Sequence, residues 1–171
     1  DVFDSPLFKE LETIAASRTQ DKQKTSNCLL VTGATGFLGA RILQLLLAQP
    51  CPDNDRVIYA LVRAGDDQEA GQRLIAAATA SDREQITGAI KQKRLLPLAG
   101  DILSPTFGLS TVQYQHLADT VDCIVHLAAR VNMVQPYNLL KDDNVTGSLN
   151  LARLALTGKS KNMHYASTLS V

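Results

Sequence analysis

The feature that most constrains the fold of this 171-residue chain is a glycine-rich segment between an apolar run and an amphipathic helix. The segment reads VTGATGFLG over 31–39 and follows CLLV at 28–31, which is typical of a buried strand. A dinucleotide pyrophosphate needs close backbone approach and free N–H groups at a helix N-terminus. An ordinary tight turn needs one glycine rather than three. The strand–turn–helix context therefore predicts dinucleotide binding.

Each glycine of this segment has its own predicted role. Gly33 permits the sharp exit from the strand, Gly36 removes a side chain that would face the phosphates, and Gly39 lets the helix pack on the sheet. The other residues of the segment that we assign to cofactor binding are Thr32, Thr35, Phe37 and Leu38.

Apolar strands alternate with amphipathic helices along the rest of the chain. Strands are predicted at 28–31, 56–62, 94–99, 122–127 and 162–167, and helices at 37–49, 68–80, 83–92, 111–119 and 139–156. This alternation predicts an α/β fold of the Rossmann type, with a doubly wound parallel sheet in the order 3-2-1-4-5. Because the sequence ends at Val171, just beyond the last strand, we expect the sheet to be incomplete at its C-terminus.

Two short segments precede this domain. Residues 1–17 are predicted to form one helix, with Ser5 as its cap and Pro6 at its first position. Residues 18–26 carry no apolar side chain and are interpreted as a linker. The nucleotide-binding portion then covers 27–171.

Composition excludes several classes of protein. Lys plus Arg and Asp plus Glu both number 17, and this zero net charge argues against nucleic-acid binding. No apolar run approaches the roughly 20 residues of a membrane span, and the acidic N-terminus lacks a signal pattern. Three cysteines form no disulfide framework or metal cluster; Cys28 and Cys123 are interpreted as small core residues. We expect a cytoplasmic domain without a bound metal.

The end of the second strand, at Arg63, indicates which dinucleotide is bound. NAD sites place an Asp or Glu here to bond the adenosine ribose, but this strand ends in a cation, and no carboxylate lies between Arg63 and Asp66. A guanidinium instead suits the 2′-phosphate of NADP(H) through charge-assisted bidentate bonds. We therefore expect Arg63 to bind this phosphate, with Arg73 assisting. The alternative, that Arg63 is a solvated strand-end charge, stays open.

The residues after the third strand, Gly100-Asp101-Ile102, are placed at the carboxyl edge of the sheet, where ligands bind in this architecture. Asp101 is positioned to accept a bond from the adenine amino group, and Ile102 is assigned to the same cofactor site. A turn or helix-capping role for Asp101 is an equal alternative.

Together these residues resemble the extended short-chain dehydrogenase/reductase family. The resemblance covers 27–171 and also rests on HLAA at 126–129, NVTG at 144–147 and Ser167-Thr168. Within that family, the chain is most similar to the thioester reductase domains that terminate nonribosomal peptide and polyketide synthetases. The matching stretches are VTGATGFLGA at 31–40, LVRA at 61–64, HLAARVN at 126–132 and HYASTLSV at 164–171. Carboxylic acid reductases and aminoadipate reductases carry a similar domain.

The N-terminal helix resembles the last helix of a phosphopantetheine carrier domain, which precedes the reductase in such synthetases. A generic N-terminal helix is the alternative. The resemblance implies a partner within a multidomain synthetase: an acyl or peptidyl thioester tethered through phosphopantetheine to an upstream carrier.

The resemblance implies NADPH-dependent reductive release of that thioester as an aldehyde or, after a second reduction, an alcohol. In this family a Ser or Thr, a Tyr and a Lys form the catalytic group. Thr168 matches the hydroxyl and Asn144 a supporting position, whereas the Tyr and Lys are expected beyond Val171. The resemblance also assigns Ala128, Ala129, Arg130 and Asn144 to cofactor binding. The present chain alone is expected to bind cofactor weakly, if at all, and not to catalyse.

One Tyr-x-x-x-Lys pair, Tyr137 and Lys141, occurs in the sequence but precedes the Ser/Thr strand, whereas the family's pair follows it. We interpret Tyr137 as a packing or substrate-side residue and Lys141 as solvated. Two other functions stay open. One is a redox-independent release domain of the Dieckmann type, and the other is a non-catalytic NADP(H)-binding module.

Overall fold

The computed structural model describes residues 6–16, 27–50, 56–130 and 134–167. The linker assigned to 18–26 and Thr168 lie outside these ranges. The strands are β1 Cys28–Thr32, β2 Val57–Val62, β3 Leu95–Ala99, β4 Cys123–His126 and β5 Asn162–Tyr165. The α-helices are α1 Pro6–Ala16, α2 Phe37–Ala48, α3 Asp67–Ala77, α4 Arg83–Lys91, α5 Thr111–Thr120, α6 Tyr137–Lys141 and α7 Gly147–Leu156.

The five strands form one parallel sheet in the order β3-β2-β1-β4-β5, which confirms the predicted topology. β1 lies at the centre, where Leu30 pairs with Tyr59 of β2 and Ile124 of β4. Since all strands point the same way, the residues that follow β1, β2 and β4 meet at one edge of the sheet.

Alternating side chains of the sheet build one core on each face. Leu29 and Val31 of β1 pack with buried residues of α2, α3 and α4, whereas Leu30 packs with those of α5 and α7. α1 packs on α7, where Leu11 is buried and Glu10 accepts a 2.6 Å bond from Arg153. Among the residues that the structure describes, no helix combines the length and apolarity needed to cross a membrane.

The helix predicted at 139–156 differs from the observed one. The observed helical segment begins at Tyr137 and is interrupted by a π turn, Asp142–Thr146. In this turn the N–H of Gly147 donates to the carbonyl of Asp142. A π turn adds one residue to a helical turn, and this shifts the side chains before it relative to those after it. The apolar periodicity of the sequence carries no signal for such a shift.

Backbone contacts of the glycine-rich turn explain two of its glycines. Gly33 has φ +73°, and a Cβ there would lie 2.5 Å from the backbone nitrogen of Ala128. A Cβ on Gly39 would lie 1.9 Å from the carbonyl oxygen of Gly33. Gly39 therefore lets α2 approach the turn, and its predicted role in packing the helix on the sheet stays a prediction.

Replacing Gly33 by alanine should lower the free energy of unfolding by about 3 kcal/mol, through left-handed strain and a clash with the Leu127–Ala128 backbone. Gly108→Ala is the matched control, because Gly108 has the same φ of +73° and nothing within 4 Å of its Cβ position. We expect the control to lose only about 1 kcal/mol. Urea denaturation measures both, and equal losses would contradict a role for the backbone contact.

Candidate cofactor-binding site

A cleft of about 270 Å³ lies at the carboxyl edge of the sheet, beside the glycine-rich turn. Most of the residues predicted to bind cofactor line it: Thr32, Gly33, Thr35, Gly36, Arg63, Arg73, Asp101, Ile102, Ala128, Ala129 and Arg130. Residues that the sequence interpretation did not assign also line it: Leu61, Val62, Gly100, Leu127 and Asp143. The first four end a strand or follow one, and the strand-edge rule alone would have found them.

The N-terminus of α2 opens toward the turn without a capping group. Gly36 is its N-cap, no described side chain caps it, and its first turn holds no acidic residue. By contrast, Asp66 caps α3, and Ser110 with Gln113 forms a capping box on α5. The first N–H groups of a helix have no intrahelical partner, so the start of α2 keeps donors and a partial positive charge available to an anion.

Phe37 and Leu38 contribute to this helix start through their backbone. The Phe37 side chain is fully exposed and that of Leu38 is half exposed. Neither lines the cleft, and Gly39 lies one step further into the helix. Any contact of these three residues with a phosphate would therefore be made by backbone N–H groups.

Three arginines line the cleft, and two of them interact directly. Arg73 donates from its guanidinium to the backbone carbonyl of Arg63, so the sequence expectation that Arg73 lies near Arg63 is met. The side chain of Arg63 is 68% exposed and that of Arg130 is 48% exposed. Both guanidinium groups therefore remain accessible to a ligand from solvent.

Asp143 is a second aspartate that lines the cleft, in addition to Asp101, and the sequence interpretation missed it. Its carboxylate lies 3.6 Å from Arg63 and 3.2 Å from Arg130, and its side chain is 17% exposed. Within a predicted regular helix, Asp142 and Asp143 look like an ordinary solvated acidic pair. Only the arrangement of the π turn against the ends of β2 and β4 places Asp143 at the site.

Asp101 has a local partner as well as a place in the cleft. Its Oδ1 accepts the N–H of Leu103 at 3.0 Å, as in the turn alternative considered from the sequence. Both Asp101 and Ile102 line the cleft. The turn therefore fixes the carboxylate at the sheet edge, and binding of adenine by Asp101 stays a prediction.

Asn144 holds the loop that follows β4. Its Oδ1 accepts the N–H of Arg130 at 2.7 Å, and its Nδ2 donates to the carbonyl of Arg130 at 3.0 Å. Asn144 does not itself line the cleft. The structure thus places Asn144 as a support for Arg130 and leaves its predicted contact with cofactor untested.

A buried chain of hydrogen bonds runs behind the cleft through His126, which is 0% exposed. Nδ1 of His126 lies 2.7 Å from the Thr32 hydroxyl, and Nε2 lies 2.9 Å from the Ser148 hydroxyl. Ser148 donates its one proton to the carbonyl of Asn144 at 2.7 Å. Ser148 must then accept from Nε2–H, so His126 is the neutral Nε2–H tautomer and Thr32 donates to Nδ1.

Among the described residues, four further candidates do not line the cleft: Tyr137, Lys141, Cys28 and Cys123. Tyr137 begins α6 and is 62% exposed, so its packing interpretation is wrong and the substrate-side one stays a prediction. Lys141 is exposed, as expected. Burial raises the pKa of the Cys28 and Cys123 thiols, which agrees with a core role. The described residues include no group of three or more His, Cys, Asp or Glu side chains that could hold a metal ion.

Comparison with known families identifies one that covers most of the chain. Residues 31–171 match the NAD-binding family described as Male sterility protein. Nonribosomal peptide synthetase asaC of Aspergillus flavus is 35% identical over 170 residues, which are 99% of this chain and 16% of that protein. A carboxylic acid reductase of Mycobacterium tuberculosis is 44% identical over 145 residues, which are 84% of this chain and 12% of that protein.

Solved structures give the same result. The reductase domain of a nonribosomal peptide synthetase from Mycobacterium tuberculosis matches with a TM-score of 0.77 and 33% identity, over 92% of this chain and 37% of that one. A thiolation-reductase di-domain from an archaeal nonribosomal peptide synthetase matches with a TM-score of 0.67 and 25% identity, over 96% of this chain and 32% of that one. This chain thus spans well under half of the proteins it resembles.

The buried His126 predicts a pH dependence of stability. Burial lowers the pKa of His126 from 6.5 to about 4, because the apolar surroundings disfavour the charged ring. Between these values the unfolded chain binds the proton and the folded chain does not. Stability is therefore complete above about pH 6.5 and falls by about 3 kcal/mol as the pH drops toward 4.

Urea denaturation between pH 7.5 and 4.5 measures this loss. His126→Gln should make the free energy of unfolding less dependent on pH over the same range. Nitrogen NMR of the imidazole should show a neutral Nε2–H ring down to about pH 5. A charged ring at pH 6, or an unchanged slope in the variant, would contradict the assignment.

Proposed function

The chain belongs to the NAD-binding family described as Male sterility protein, and on that basis we propose that it is the NADPH-binding part of a thioester reductase domain. The observation that carries the proposal is the uncapped start of α2 beside the glycine-rich turn, in a cleft that also holds three arginines. A helix N-terminus without a side-chain cap favours a phosphate. Nearby guanidinium groups favour a further one.

Groups in or beside the cleft suit several parts of an NADPH molecule. The pyrophosphate would accept bonds from the N–H groups at the start of α2, and the 2′-phosphate from Arg63. Arg73 donates to the carbonyl of Arg63 and would hold that segment in place. The carboxylate of Asp101 would accept from the adenine amino group. Small residues at Ala128 and Ala129 leave room for the ribose on the nicotinamide side.

The reaction that we propose is reduction of a carrier-bound acyl or peptidyl thioester. When bound, NADPH supplies a hydride to the thioester carbonyl carbon. The hydroxyl of Thr168, with the Tyr expected beyond Val171, would stabilise the negative charge that develops on the carbonyl oxygen. A proton on that oxygen gives a hemithioacetal. When its C–S bond breaks, the hydroxyl proton passes to the sulfur, which gives an aldehyde and the free carrier thiol. Relatives named reductases and peptide synthetases support this reaction class.

A carrier domain is the partner that we propose for this reaction. The archaeal relative is a thiolation-reductase di-domain, in which a carrier and a reductase share one chain. In the present chain, α1 already packs on α7 through Leu11 and the Glu10–Arg153 pair. A phosphopantetheine-tethered thioester delivered by an upstream carrier is consistent with this arrangement.

The proposal is tested in two steps. Calorimetric titration should detect binding of NADPH to the 171-residue chain. Adding a phosphopantetheine-bound acyl thioester should cause NADPH oxidation only in a longer protein that supplies the Tyr and Lys. Absence of nucleotide binding by both this chain and the longer protein would overturn the cofactor assignment. Thioester cyclisation without NADPH oxidation in the longer protein would favour the Dieckmann-type alternative, and binding without either reaction would favour a non-catalytic module.

Arg63→Gln should weaken NADPH binding about tenfold, because a charge-assisted contact with the 2′-phosphate is lost. NADH binding should change by less than about twofold, since NADH lacks that phosphate. Arg83→Gln is the matched control, because Arg83 is exposed on α4 and does not line the cleft. Equal weakening of NADPH and NADH by Arg63→Gln would contradict a specific contact with the 2′-phosphate.

A further inference from the structure

The carboxylate of Asp143 joins two arginines from opposite sides of the cleft. One of its oxygens lies 3.6 Å from Nη1 of Arg63, and the other lies 3.2 Å from Nη1 of Arg130. Arg63 follows β2 and Arg130 lies in the loop after β4. We call Arg63, Asp143 and Arg130 the ion-pair bridge.

The ion-pair bridge crosses the space that a dinucleotide would occupy. β2 and β4 are the two neighbours of β1 in the sheet. A link between residues at their carboxyl ends therefore passes over the carboxyl end of β1, where the glycine-rich turn begins. The three bridge residues and Gly33 line the same cleft.

We propose that Asp143 determines nucleotide specificity as an internal anion that competes with the phosphates of the cofactor for Arg63 and Arg130. This inference rests on the proposed function, because it assumes a phosphorylated nucleotide in the cleft. It assigns to Asp143 a role opposite to that of the arginines, since its carboxylate weakens nucleotide binding while they strengthen it.

Exposure indicates which partner moves when a nucleotide binds. The Asp143 side chain is only 17% exposed, whereas those of Arg63 and Arg130 are 68% and 48% exposed. Asp143 also lies in the π turn, whose neighbouring Asn144 is bonded twice to the backbone of Arg130. We therefore expect the arginine side chains to move when a nucleotide binds, whereas the carboxylate of Asp143 keeps its position.

Two costs follow for an incoming phosphate. Arg63 must exchange its contact with Asp143 for one with the ligand, and the ligand then lies close to a fixed carboxylate of like charge. Because Arg63 is the residue placed for the 2′-phosphate, both costs are larger for nucleotides that carry it. Asp143 therefore reduces the preference for a 2′-phosphorylated nucleotide below what Arg63 alone would give.

The experiment compares two probes, 2′,5′-ADP and 5′-AMP, by calorimetric titration of the full chain and its variants. Asp143→Asn should bind 2′,5′-ADP about threefold more tightly, with a smaller gain for 5′-AMP. Asp142→Asn is the matched control, because it removes the same charge from an exposed neighbour in the same turn. It should bind both probes as the unmodified chain does. Asp143→Glu keeps the charge and should return the affinity toward that of the unmodified chain.

Combining Asp143→Asn with Arg63→Gln tests whether the effect of Asp143 acts through Arg63. The gain for 2′,5′-ADP should shrink in the Arg63→Gln background, because the competition acts through that guanidinium. A gain of the same size in both backgrounds would overturn the proposal.

Three other results of the binding experiment would also overturn the proposed role of Asp143. Unchanged or weaker binding of 2′,5′-ADP by Asp143→Asn would overturn the proposal that Asp143 competes with the nucleotide, without contradicting nucleotide binding itself. Weaker binding would mean that the carboxylate positions Arg63. An equal gain in affinity from Asp142→Asn would mean that the effect comes from the net charge of the protein, and this would also overturn the proposal. No binding of either probe by any variant would overturn this inference, and the cofactor assignment would fall with it only where the longer protein does not bind NADPH either.

Discussion

The close contact of Gly33 with the peptide that joins Leu127 to Ala128 is the constraint on which the rest of the site depends. It holds the turn after β1 against the loop after β4, at a distance that no side chain at position 33 would permit. The start of α2 is then fixed beside the ends of the neighbouring strands. Donors from a helix and cations from two other strands meet in one cleft as a result.

Charged side chains line the cleft, whereas the side chains buried behind it carry no formal charge. Arg63 and Arg130 lie at its surface, where solvent screens their charges, and the less exposed carboxylate of Asp143 lies between them. Behind them, Thr32, His126 and Ser148 form a buried chain without a formal charge, because burial keeps the imidazole neutral. Every proton of that chain has an acceptor, so it can be buried at little cost and hold β1, β4 and α7 in register.

Sheet order, the glycine-rich turn and half of the lining residues followed from local sequence patterns, because neighbouring residues determine strand alternation and turn chemistry. The lining residues Ala128, Ala129 and Arg130 were assigned by family resemblance instead. Asp143 and Ser148 could not be found in this way. Their roles arise from the π turn and from contacts with residues distant in sequence, Arg63 and His126. Asn144 was singled out by resemblance to a family motif, but its bonds to the Arg130 backbone became visible only in the fold.

The π turn also makes one wall of the site sensitive to chain length rather than to composition. Side chains on the preceding α6 are mostly exposed, so many substitutions there leave the wall unchanged. Deleting a single residue of Asp142–Thr146 would instead remove the extra residue and leave an ordinary α turn, while α6 and α7 keep their relative orientation. The change would therefore be confined to the π turn, which is the segment that carries Asp143 at the cleft.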